Sequence, residues 1–335
     1  TSINIPYGSM ASAITDKPDE RTALSTFRTV GATLAGLIIG TVTPLLIYTK
    51  DADGNQIVRG GSTFTIIAGV FALCAVLCYV ICYKLTTERV KVEPDPDAKK
   101  VTLGQTFAAI FRSRALLGII GAAIFLLLSQ LLIQAMNNYL YTEYFGSAGA
   151  ISIMTILNTV LMLVVVAPLS VPISRRFGKK EASTVGALLA GTVFLLFFLK
   201  VKNVAVYIVL ANIGMLGLGF FNTVIWANIT DVIDDQEVKT GQREDGTVYA
   251  VYSFARKLGQ ALAGGAGGWA LSIIGYDQLA KVQTEAVING LYTTSTLIPA
   301  VCFFIVALFL WFIYPLGKKN VEANVEELKR RRENA

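Results

Sequence analysis

Histidine is absent from all 335 residues. That excludes a histidine metal centre, a Ser-His-Asp triad and a histidine proton relay. Charge is scarce too: Asp, Glu, Lys and Arg make up 16% of the chain, against about 25% in an ordinary soluble domain. With 54% hydrophobic residues and a mean hydropathy of +0.58, the chain is neither a soluble enzyme nor a disordered polymer. Four cysteines do not make a secreted disulfide scaffold. Cys74, Cys78 and Cys82 share one helical face, but without histidine or a fourth convergent thiol they do not suit a metal. Gly264-Gly-Ala-Gly-Gly268 lacks the Lys and Ser/Thr of a phosphate-binding loop.

What the chain does have is long apolar runs. Crossing the hydrocarbon core takes about 20 such residues. Seven stretches meet that length, near 24–48, 62–84, 115–141, 149–173, 182–201, 204–229 and 247–275, and an eighth follows near 287–314. The opening, with Ile3, Ile5, Pro6, Tyr7 and Met10 before the charged turn Asp16 to Arg21, reads as the last turns of another helix. The expected fold class is therefore an all-α polytopic membrane protein, and the chain reads as a fragment of a longer one.

Basic residues set the orientation. With the turn at 15–21 on the cytoplasmic side, segments 84–114, 174–181, 231–245 and 318–335 share that side, and together these five hold 21 of the 29 Lys and Arg. The opposite side holds Lys50, Arg59, Lys200, Lys202 and Lys281. The formal charge of +6 thus reports topology and gives no reason to expect a nucleic-acid partner. The stretch Val92 to Lys100 reads as an extended linker, and Phe107 to Arg114 as a short amphipathic surface helix. The expected organisation is an N-terminal remnant (1–84), a cytoplasmic connection (85–114), a six-helix bundle (115–317) and a tail (318–335).

Two segments repeat. Arg28-Thr-Val-Gly31-Ala-Thr-Leu34-Ala35-Gly36 matches Arg256-Lys-Leu-Gly259-Gln-Ala-Leu262-Ala263-Gly264 at five of nine positions. Each follows a helix end carrying Asn (Asn4, Asn222) and an acidic turn. Paired repeats related by an axis along the membrane normal mark transporters. Each buried cation at the bilayer centre costs about 2.5–3.5 kcal/mol on insertion scales, so Arg28, Arg256 and Lys257 need partners or water. No carboxylate lies in the middle of a complete span, which places the expected counter-ions on helices preceding Thr1.

Gln130, Gln134, Asn137 and Tyr141 recur at i, i+4, i+7 and i+11, a polar stripe that faces inward. Asn158, Asn212, Asn222 and Asn228 add amides on other helices. Such groups either bond neighbouring helices or line a site for a hydroxyl-rich solute. The acidic run Asp231, Asp234, Asp235 and Glu237, with Arg243 close by, is a solvated loop or a cytoplasmic gate of ion pairs.

The segment Asn4-Ile-Pro-Tyr-Gly-Ser, the turn to Arg21, and Phe27-Arg28-x-x-Gly31 resemble the glycoside–pentoside–hexuronide:cation symporter family of the major facilitator superfamily. So do Asp231-Val-Ile-Asp234 through Arg243, and Tyr249-x-x-x-Ser253-x-x-x-Lys257-x-Gly259. The resemblance implies about eight of twelve transmembrane helices plus the end of another, in an inner membrane. It also implies sugar symport by alternating access, coupled to Na⁺, Li⁺ or H⁺, with no other cofactor and one chain acting alone. Under it, Arg28 matches a sugar-site arginine, Lys257 a lysine linking sugar and cation networks, and Ser253 a nearby hydroxyl. Thr1 matches a hydroxyl near the cation. Asn4 and Asn222 stand where sugar-binding members carry an aspartate and a tryptophan. With Gln130, Gln134, Asn137, Tyr141 and Tyr249 these make the expected substrate site, and Asp231, Asp234, Glu237 and Arg243 the expected gate. The other readings are a carrier of lipids or amphipathic solutes, which the polar stripe disfavours, and a non-transporting membrane scaffold or sensor.

Overall fold

The computed structural model describes residues 7, 10–11, 13–50, 56–58, 61–87, 89, 113–147, 149–241, 243, 245–277, 280 and 282–333. Thr1, Asn4, the linker at 92–100 and most of the surface helix expected at 107–114 lie outside the described residues. In chain order come α1 (Pro18–Ile47), β1 (Tyr48–Lys50), β2 (Gln56–Val58), α2 (Gly61–Leu85), α3 (Arg114–Tyr139) and α4 (Gly149–Leu161). Then follow α5 (Ala167–Phe177), α6 (Lys179–Leu196), α7 (Val204–Thr240), α8 (Asp245–Ile274), α9 (Glu285–Leu308) and α10 (Lys318–Glu333). The strands form a small antiparallel hairpin with Tyr48 opposite Val58.

Local chemistry sets the helix ends. Ser113, Asn203 and Thr284 accept hydrogen bonds from the first-turn amides of α3, α7 and α9, satisfying donors that have no partner inside a helix. Gly241, at φ 73°, closes α7 by donating its amide to the Glu237 carbonyl at 2.9 Å. One-turn π-helical segments at Leu140–Tyr144, Met162–Val166 and Phe309–Ile313 extend α3, join α4 to α5 and extend α9.

Among the described residues, seven helices are long and apolar enough to cross a membrane, and α8, which carries Arg256 and Lys257, falls short of that apolarity. The expected span at 204–229 is too short, since α7 continues to Thr240. Asp231, Asp234 and Glu237 are therefore on its last three turns, and the expected acidic turn is mostly helix. Those charges do not end the helix because cations from other elements meet them.

The core lies among α3, α6, α7 and α9, around Leu116, Phe194, Phe221, Phe303 and Leu310. Gly186 on α6 and Gly217 on α7 let two backbones cross so closely that a Cβ on either would strike the other's main chain. Large apolar side chains point outward instead of inward along much of the chain, as on α2 with Ile66, Val70, Leu73 and Leu77. In lipid such surfaces carry no penalty.

Candidate functional site

A cavity of about 600 Å³ opens between α1, α3, α4, α7 and α8. Arg28, Thr29 and Thr33 reach it from α1, Gln130 from α3, and Asn158 from α4. Asn222 and Trp226 reach it from α7, and Tyr252 and Arg256 from α8. The two arginines are the equivalent members of the sequence repeat, so each copy contributes one cation to a common space. Among the described residues, the lining contains no carboxylate.

Trp226 organises these charges. The Arg28 guanidinium carbon lies 3.6 Å from the Trp226 ring centroid and 4.9 Å from that of Tyr7. The Arg256 carbon lies 5.2 Å from the same Trp226 ring and 5.9 Å from that of Tyr252. A desolvated cation on an indole face gains about 2 kcal/mol. Both distances share one centroid, so the two positive centres are within about 9 Å, where an effective dielectric of 20 leaves about 2 kcal/mol of repulsion. Behind Trp226 the Tyr249 ring stacks at 6.1 Å with planes 10° apart, its hydroxyl 3.3 Å from that of Thr230.

The expected site residues divide. Arg28, Gln130 and Asn222 line the cavity. Arg28 lies ten residues into α1, about 15 Å along the axis, and stacks inward on Trp226. Tyr249 supports the cavity wall without lining it. Gln134 is exposed, Asn137 half-buried, and neither lines the cavity. Tyr141 is fully buried in an aromatic cluster with Phe145 and Tyr207. It follows the onset of the π-helical turn, which breaks the stripe's phase. Ser253 is half-buried and outside the lining. Lys257 is exposed, is not among the residues lining the cavity, and donates to Gln260 Oε1 at 3.1 Å. Arg256 takes the inward place because adjacent helical residues point 100° apart. Trp226, Arg256, Asn158, Thr29 and Thr33 were absent from the expected set. The repeat was the signal for Arg256, since it pairs Arg256, and not Lys257, with Arg28.

At the basic end, charges meet charges. Arg21 at the start of α1 pairs with Asp234 on α7, with side chains 1% and 4% exposed. Arg243 Nη1 is 3.1 Å from Asp234 Oδ1 and 2.5 Å from Glu237 Oε2, and its Nε is 2.8 Å from Asp245 Oδ2. Burial alone would lower the Arg243 pKa, but Asp245, Asp234 and Glu237 hold it above the usual arginine range. Lys179 Nζ lies 2.5 Å from Asp231 Oδ2, both buried. Nearer the cavity, Ser25 donates to the Thr223 carbonyl, and the Thr26 and Ser170 hydroxyls are 2.7 Å apart. α10 lies across this end, with Asn324 donating to Asp235 at 3.3 Å and Arg331 to the Val238 carbonyl at 3.1 Å. All four expected gate residues thus fall in adjoining ion pairs, buried except at the half-buried Glu237, that tie α1 and the α5–α6 junction to α7.

Against known proteins, the chain matches the family described as MFS/sugar transport protein over residues 1–318. It is 30% identical to the uncharacterized symporter YjmB of Bacillus subtilis over 331 residues, covering 97% of this chain and 69% of that protein. It is also 30% identical to the glucuronide carrier protein homolog of Escherichia coli, covering 98% of this chain and 70% of that one. An isoprimeverose transporter of Lactiplantibacillus pentosus is 29% identical, with 93% and 64% covered.

Proposed function

The chain belongs to the MFS/sugar transport protein family, whose members are multi-pass membrane carriers and not enzymes, and from that premise we propose how it binds and moves its solute. The sugar occupies the central cavity. Arg28, Gln130, Asn158 and Asn222 bond its hydroxyls, and Trp226 offers the face against which its ring lies. The observation that carries this reading is a cavity of about 600 Å³ lined by amides, hydroxyls and paired guanidiniums within apolar helices.

Arg21, Lys179, Asp231, Asp234, Glu237 and Arg243 form the cytoplasmic gate, closed here by ion pairs. Breaking those pairs as the two repeats rock about the cavity opens the site inward. A monovalent cation, Na⁺, Li⁺ or H⁺, supplies the driving gradient. Lys257, outside the cavity, is left out of the sugar contacts.

The test is uptake by whole cells, using a panel of labelled sugars with sodium, lithium and external pH varied separately. The reading predicts accumulation of a sugar against its gradient, dependent on one of these cations. Arg28→Ala should abolish that accumulation while membrane insertion stays normal. No accumulation of any sugar under any gradient, or normal accumulation by Arg28→Ala, overturns it.

A further inference from the structure

We infer that Ser25 is a positioning residue of the sugar site: its hydrogen bond from α1 to the Thr223 carbonyl of α7 fixes the register in which Arg28 meets Trp226. This rests on the reading of the cavity as the sugar site, and it names the side chain that sets two of the site's helices against each other. Buried hydroxyls on a helix commonly bond back to a carbonyl of their own helix. On α1, Thr22 donates to the Pro18 carbonyl at 2.9 Å, Thr26 to that of Thr22 at 2.8 Å, Thr29 to that of Ser25 at 3.0 Å and Thr33 to that of Thr29 at 2.9 Å. Ser25 donates across to α7 instead. A carbonyl oxygen has two lone pairs, so that of Thr223 takes the serine in addition to its own helix bond. Ser25 is 3% and Thr223 0% exposed, so water does not stand in for the bond when it is lost. Beside it the Thr26 and Ser170 hydroxyls, 2.7 Å apart, tie α1 to α5.

The repeat carries the same spacing. Ser25 stands three residues before Arg28, and Ser253 three before Arg256, so each copy has a serine one helical turn from its cavity arginine. The lever from Ser25 to Arg28 is short. α1 starts at the basic end and α7 finishes there, so the two helices run antiparallel, and Trp226 is one turn nearer that end than Thr223. Arg28 therefore leans back over the turn of Ser25, the direction helical side chains favour, to bring its guanidinium carbon 3.6 Å from the Trp226 centroid. Sliding α1 along α7 moves that contact directly, and cation–π attraction is confined to about 6 Å from the ring. A serine side chain is too short to follow such a slide, so its bond forms in one register only.

Two measurements on the purified protein in lipid nanodiscs test this. The first needs no sugar. With the other two tryptophans, Trp269 and Trp311, replaced by Phe, the emission of Trp226 reports the cation on its face. Ser25→Ala should shift that emission in the direction of Arg28→Ala, and should shift it no further in an Arg28→Ala background. The second is equilibrium binding of D-glucose, D-galactose, D-xylose and D-glucuronate. Affinity for the sugar that binds tightest should fall about fivefold in Ser25→Ala, as loss of one neutral hydrogen bond allows. In a Trp226→Ala background the same substitution should cost less than about twofold, because the two act through one contact. Lower thermal stability with emission and affinity both unmoved marks packing alone and overturns the inference. So does a Ser25→Ala loss that adds in full to that of Trp226→Ala. Failure of every sugar to bind the unaltered protein overturns the sugar-site reading, and the sugar-free emission then passes or fails the seating of Arg28 by Ser25 on its own.

Discussion

The central cavity and the basic end of the molecule handle buried charge in opposite ways. At the basic end every buried cation described above meets a carboxylate: Arg21 and Arg243 share Asp234, and Lys179 takes Asp231. In the cavity Arg28 and Arg256 are held against an aromatic ring beside open volume. Under the proposed function, ion-paired charges close one end and charges stacked on a π-face beside a void prepare the site. The same residue type would then serve closure in one region and recognition in the other, with the surroundings deciding which.

The comparison breaks most visibly at Asp234. Asp234→Asn takes from the buried Arg21 the carboxylate it pairs with and from Arg243 one of three, and removing one member of a buried pair costs about 3–5 kcal/mol. The closed basic end should give way, shifting the molecule toward its inward-open form. Alkylation of Thr29→Cys in a background without the four native cysteines reads this from the cytoplasmic side of inverted vesicles. Strongly increased labelling is expected; unchanged labelling would mean that the ion pairs do not hold the end shut.

A smaller loss is expected at Trp226. Trp226→Ala removes the face that both cavity arginines use, worth about 2 kcal/mol for a desolvated contact, so sugar affinity should fall about 30-fold. An unchanged affinity would detach Trp226 from the site. Lys257→Ala, one residue from Arg256 but turned outward, should change sugar affinity by less than about threefold. A loss as large as that of Arg28→Ala would mean that it reaches the sugar in another state of the transport cycle. Smallest of all is Lys17→Ala, which removes an exposed pair with Glu20 at 3.0 Å. Exposed pairs contribute about 0–1 kcal/mol, and transport rate and thermal inactivation should both stay unchanged within error.

Much of this was legible in the sequence. Apolar runs located the spans because lipid demands length and apolarity of every crossing segment. Arg28, Gln130 and Asn222 stood out because polar groups are costly there. The cluster of opposite charges assigned to the proposed gate was legible, although its helical continuation was not, since Asp231 to Glu237 read as a turn and only the fold brings Arg21, Lys179 and Arg243 against it. The choice between Arg256 and Lys257 depends on the rotation of α8. Its sequence has glycines on more than one face: Gly259 and Gly267 pack against Ile124 and Ala135 of α3, whereas Gly264, Gly265 and Gly268 meet no neighbour within contact distance, and residue type alone does not tell the two sets apart. Trp226 was invisible because an aromatic in a membrane span looks like any other apolar residue until its neighbours are known. Tyr141 was misplaced because a π-helical turn leaves little trace in the spacing of residues.

The most direct measurement is the emission of Trp226 alone. With Trp269 and Trp311, both outward-facing, replaced by Phe, titration with a panel of sugars should change that emission saturably for at least one sugar. Arg28→Ala should move that change to concentrations at least about tenfold higher, the loss expected for a hydrogen bond to a charged group. An emission that no sugar alters, or a titration that Arg28→Ala leaves in place, would contradict the account of this cavity as the sugar site.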